Sequence, residues 1–102
     1  MKTITLNILA EDIKTTDYTN SDKCAITRAL RRAGLGAHEG GGGEIWHDSY
    51  GSYIKTPVQL CNKVRSMYKS LDPEKWIGPT DSNLPCIEPQ DFTYSLEIPN
   101  NW

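Results

Sequence analysis

The chain has 102 residues, 37 % of them apolar and 24 % charged, with a formal net charge of −2 and a sequence pI near 5.6. This suits one folded domain over residues 1–102 with a modest core, and it excludes a disordered or fibrous chain. No apolar run approaches the roughly 18 residues of a membrane span, and neither a signal-peptide block nor CxxC spacing is present, so a cytoplasmic protein without disulfides or structural zinc is expected.

Ile4, Leu6 and Ile8 alternate with Thr3, Thr5 and Asn7, which predicts a strand with one buried face over residues 2–9. A short helical turn is expected over 10–14, then polar loop. Ser21 or Asp22 can cap the next helix, whose inward positions are Ala25, Ile26, Ala29, Leu30 and Ala33, with Thr27, Arg28, Arg31 and Arg32 outside. Gly34 ends it by taking positive φ. Residues 35–43, with glycine at 40–43, are expected to form a loop. Two short strands over 44–48 and 53–56 join through Ser49-Tyr50-Gly51-Ser52.

Thr56 is placed to cap a second helix, with Pro57 at its first position. Val58, Cys61, Val64, Tyr68 and Leu71 form its apolar stripe, widened by Leu60 and Met67, and Cys61 is expected in the core. Pro73 stops this helix. The long connection over 72–90 either packs back through Trp76, Ile77 and Ile87 or serves as a flap. Phe92, Tyr94, Leu96 and Ile98 alternate with polar residues as a final strand, stopped by Pro99. The order β-α-β-β-α-β predicts an α+β fold: a small, mainly antiparallel sheet with two helices on one face.

Charge is segregated along the chain. Residues 1–22 carry −2, residues 23–71 carry +5 with all four arginines, and residues 72–102 carry −5. Guanidinium groups suit phosphate, although such a run also fits a solvated helix face. Trp46, Tyr50 and Tyr53 offer rings on which a base can stack, and His47 and Lys55 lie among them. The expected ligand site is therefore Arg28, Arg31, Arg32, Trp46, His47, Tyr50, Tyr53 and Lys55, converging in one electropositive cleft. The same aromatics also suit plain cover for a sheet.

Other chemistry fits less well. The glycine run lacks the following Lys-Ser/Thr of a phosphate-binding loop. His38 and His47, with Glu39, Glu44 and Asp48 nearby, match no helical metal-binding spacing, so no metal or other cofactor is expected. Cys24, in the first turn of a helix, is open to activation by the helix dipole with His38 or His47 as base, which keeps a small thiol- or His-dependent hydrolase as an alternative.

Ile4, Leu6 and Ile8, followed by Glu11-Asp12-Ile13 and by Cys24, Ile26, Ala29 and Leu30, resemble a recurring pattern among small bacteriophage proteins. Those begin with a strand, an acidic E-x-I turn and a Cys-Pro-Ile-Ala-x-Ala-Leu helix. Glu88-Pro89-Gln90-Asp91-Phe92 resembles the proline that introduces their last strand, whereas Ala25 stands where they carry proline. The resemblance implies a phage accessory protein acting by binding in the host cytoplasm, and it transfers no catalytic residue. The expected function is a non-enzymatic counter-defence sponge for an anionic, nucleotide-like signalling molecule. The alternative is a protein–protein inhibitor of a host defence enzyme, with the acidic 72–102 segment mimicking nucleic acid. Extended nucleic-acid contact is not expected at this pI. A chain this short can complete a pocket across a subunit interface, so a homo-oligomer is also among the expectations.

Overall fold

β1 (Lys2–Ile8) and β5 (Phe92–Ile98), the two segments of strict apolar alternation, pair antiparallel from Lys2 opposite Ile98 to Ile8 opposite Phe92. Leu6, Ile8, Leu96 and Ile98 are buried on one face of this ribbon. The computed structural model describes residues 1–16, 23–40, 43–72 and 83–102. Between the outer strands lie α1 (Ala10–Lys14), α2 (Ala25–Arg32), β2 (Ala37–Glu39), β3 (Glu44–His47), β4 (Tyr53–Lys55) and α3 (Val58–Leu71). The fold is α+β. The expected single sheet is replaced by two among the described residues, β1–β5 and the antiparallel β2–β3–β4.

β2 falls where the sequence predicts loop. It has three residues and glycines on both sides, too short a stretch for period-2 alternation to register. Its place is set by pairing: His38 lies opposite Trp46 and Glu39 opposite Ile45. Gly40 and Gly43 close this hairpin, with the Gly40 N–H donating to the Glu44 carbonyl at 2.8 Å and Gly43 at φ +82°. Residues 41 and 42, which complete the glycine run, lie outside the described residues.

α2 begins later than expected, with Cys24 as its N-cap residue; Ser21 and Asp22 lie outside the described residues. It ends as its glycine predicts: Gly34 takes φ +85°, and the Leu35 N–H returns to the Leu30 carbonyl at 3.0 Å. Ala25, Ile26, Ala29 and Leu30 are buried and join the β1–β5 face in one core. Ala33 is exposed. Thr27 is buried rather than outward, because its Oγ1 accepts the Glu39 N–H at 2.9 Å and ties α2 to β2.

α3 buries Leu60, Val64, Met67 and Tyr68, so its inward stripe is rotated from the expected one. Val58 and Leu71 are exposed, and Cys61 is only half-buried rather than in the core. α3 also starts one residue later than expected, at Val58 with Pro57 as N-cap, and Thr56 makes no capping hydrogen bond among the described residues. Of the long connection, residues 83–90 pack back. Ile87 leans on the core and donates its N–H to the Ser66 carbonyl at 3.2 Å, while Lys69 Nζ donates to the Leu84 carbonyl. Trp76 and Ile77 lie outside the described residues.

Candidate functional site

The β2–β3–β4 sheet turns Ala37, Ile45 and Ile54 toward the core. Alternation then sends His38, Trp46 and Tyr53 to the opposite, outer face, where the registers His38–Trp46 and Trp46–Tyr53 set them in one row across three strands. The Trp46 and Tyr53 rings lie 4.6 Å apart between centroids at 34°. Gly40 holds this row in place: a Cβ there would meet the Trp46 ring at 3.2 Å. In the next row, Lys55 lies opposite Glu44.

One arginine reaches the margin of this face. Arg31 Nη2 lies 3.6 Å from Asp48 Oδ2, and Asp48 Oδ1 meets His38 Nδ1 at 2.6 Å. The strand that presents Trp46 thus continues into a carboxylate holding both Arg31 and the histidine of the aromatic row.

The other two arginines of α2 do not join the site, which corrects the expected convergence. Arg32 Nη2 bonds Asp12 Oδ2 at 2.7 Å, and its Nη1 donates to the Asn7 carbonyl, also at 2.7 Å. Arg28 lies 3.6 Å from Asp12 Oδ1 and donates to Thr15. Residues 28 and 32 share a helix face one turn apart, and that face meets α1. Both guanidinium groups are therefore engaged by the protein's own carboxylate.

His47 and Tyr50 also separate from the outer row, since His47 follows Trp46 in the strand and points to the other side. The two rings stack at 4.2 Å, and Trp102 meets His47 edge-on at 5.3 Å. His47 Nδ1 accepts the Ser49 N–H at 3.1 Å, and Trp102 Nε1 donates to Ser52 Oγ at 3.2 Å. These contacts fasten the β3–β4 turn to the chain's end. Trp102 does not stand out in the sequence, because nothing local to residues 99–102 signals a partner half the chain away.

Cys24 has a carboxylate, not a histidine, as its hydrogen-bond partner: its thiol donates to Glu39 Oε2 at 3.0 Å. Burial, followed by the charge of Glu39, pushes the thiol up to about 11, although backbone N–H groups of Thr27 and Ile26 pull the other way. The backbone N–H groups at the start of α2 favour the thiolate, but burial and Glu39 outweigh them. Glu39 is itself raised by burial, against the thiol hydrogen bond and the charge of Arg65, which lower it. Tyr68 completes this cluster, its hydroxyl accepting the Ala25 N–H at 3.2 Å and bonding Thr16 Oγ1 at 3.1 Å. Burial raises the Tyr68 phenol as well. The cluster joins α2, β2 and α3.

Among the described residues no group of three or more His, Cys, Asp and Glu side chains is arranged to hold a metal ion. No helix among them is long and apolar enough to cross a membrane. Fold and geometry together define a small α+β protein with two antiparallel sheets and an aromatic row on the outer face of the larger one. No family model matches the chain, and neither a curated protein nor a solved structure matches it.

Proposed function

We propose that this protein is a non-catalytic binding protein that captures an anionic, nucleotide-like ligand on the outer face of β2–β3–β4. In the phage setting that its opening segment resembles, it sequesters a signalling nucleotide of host defence. The observation that carries this reading is the Trp46–Tyr53 pair, an aromatic platform with His38 beside it, Lys55 in the adjoining row and Arg31 at its margin. A base stacked on such a platform gains about 1–3 kcal/mol. The engagement of Arg28 and Arg32 by Asp12 narrows the reading: the anionic part of the ligand has to meet Lys55 and its neighbours rather than an arginine cluster.

Calorimetric titration with linear and cyclic oligonucleotides and ADP-ribose derivatives tests it. Saturable heat is expected for at least one member, with Trp46→Ala weakening binding about tenfold or more, the equivalent of one lost stacking contact. Absence of heat and of any thermal shift across the panel would remove the proposal.

A second reading is favoured by the exposure of Tyr50 (58 %) and Tyr53 (52 %), aromatic groups of the kind that anchor protein interfaces. In that reading the protein inhibits a host enzyme. A native mass spectrum of protein recovered from host cells separates the two, since a stoichiometric protein partner supports inhibition and a released small molecule supports sequestration. The same spectrum reports whether the chain forms a homo-oligomer.

A further inference from the structure

A cleft of about 400 Å³ lies between the two sheets, with Ile54 and Lys55 of β4 on one wall and residues 94–97 of β5 on the other. Neighbours in a strand send their side chains to opposite faces, so what these consecutive residues share is the edge of the backbone. Both edges are free among the described residues, because β4 pairs with β3 and β5 with β1. In β4 the ladder fixes which groups face out. The His47 N–H bonds the Ser52 carbonyl and the Thr56 N–H bonds the Gly43 carbonyl, so residues 52, 54 and 56 turn to β3. The N–H and C=O groups of Tyr53 and Lys55 then face the opposite edge, and every second residue of β5 faces away from β1 in the same way.

The two sheets cover one core. Ile45 and Ile54 of one sheet pack into the same apolar cluster as Tyr94 and Leu96 of the other. Lys55 and Glu97, each next in its strand to one of these, therefore stand on the outer side of the cleft. Neither makes an ion pair among the described residues. β5 carries neither the proline nor the lysine that commonly protects a free edge, and the exposed Met1 lines the same cleft. With ~4.8 Å between strands, ~10 Å between packed layers and ~3.3 Å per residue, the space takes about two to three residues of extended chain.

We infer that this cleft is a strand-insertion site: an extended segment of a partner protein lies between β4 and β5, bonds both edges through its backbone and joins the two sheets into one. An extended backbone carries donors and acceptors on both of its edges, which is what two facing strand edges require. Alternation then sets the side chains of the segment. Those turned inward are apolar, against Ile54 and Leu96, and those turned outward are charged, acidic toward Lys55 and basic toward Glu97. The site does not depend on the sheet-face reading and shares only Lys55 with it.

The test is an amide-resonance titration of the full chain with a capped synthetic peptide that alternates valine with threonine and carries one glutamate and one lysine among its outward residues. Saturable movement of the amides of residues 53–55 and 94–97 is expected. Two further peptides, N-methylated on one edge or on the other, are each expected to bind about tenfold more weakly, because an inserted strand uses both edges. Lys55→Glu should weaken the parent peptide several-fold, and a peptide with its two charges exchanged should recover the loss. Unmoved amides on either wall would overturn the site. Sensitivity to methylation on one edge alone would mean that the peptide adds to a single strand, and the insertion falls. Movement of the same amides with protein concentration alone, together with a dimer in sedimentation, would make a second copy the occupant and overturn the assignment to a partner segment.

Discussion

A carboxylate that is 6 % exposed needs cations, and Asp12 takes both Arg28 and Arg32 from one face of α2. The expected cost of Asp12→Ala is about 2 kcal/mol, because a charge-assisted bond at 2.7 Å is lost while the partly exposed guanidinium groups rehydrate. Urea unfolding measures it, and an unchanged midpoint would show that the pairing holds nothing. The thiol of Cys24 makes a second prediction. Its value in the fold, about 11, lies above the 9.0 of the free group, so folding favours the protonated form. The stability tied to that proton is complete below about pH 9 and is lost as pH rises toward 11. Cys24→Ala should flatten the decline of the urea midpoint across that window, leaving the contribution of Tyr68, which is shifted in the same direction. A matching slope in the variant would place the alkaline loss elsewhere.

A hydroxyl of α3 serves the start of α2. The Ala25 N–H, at the first turn of α2, has Tyr68 Oη of α3 as its acceptor, so the start of one helix is satisfied by the side chain of another. Tyr68→Phe leaves that N–H buried and unpaired, at an expected cost of about 1–3 kcal/mol in chemical denaturation. Amide exchange at Ala25 should rise in the same variant; unchanged protection would mean that water or a neighbour replaces the hydroxyl. Elements are legible in the sequence where a period runs long enough. The alternation in β1 and β5 and the three-to-four spacing in α3 mark them plainly. β2 is not legible, since its three residues owe their extended form to the partner strand. The starts of α2 and α3 also depart from expectation. Ser, Asp and Thr residues announce caps, yet Cys24 and Pro57 hold those positions in the fold.

At the scale of the whole molecule, the two ends of the chain make one ribbon. β1 and β5 pair along their full seven residues, and Lys2 Nζ bonds the Trp102 carbonyl at 2.6 Å. A two-stranded ribbon is marginal alone and holds here because α2 covers its apolar face. Truncation before Phe92 should therefore abolish the cooperative unfolding transition rather than merely lower it. Circular dichroism during heating checks this, and a sharp transition in the truncated chain would show that the β2–β3–β4 sheet and the helices fold without the ribbon.

The residues themselves determined the buried face of β1 and β5 and where the periodic elements lie, because periodicity is a local property of the backbone. The tertiary structure alone decided the rest. It split the strands into two sheets, gave Arg28 and Arg32 to Asp12, set Glu39 against Cys24, and left the Thr56 hydroxyl with no partner among the described residues. Each of these depends on groups distant along the chain, and local spacing holds no information about which distant group fills a given space.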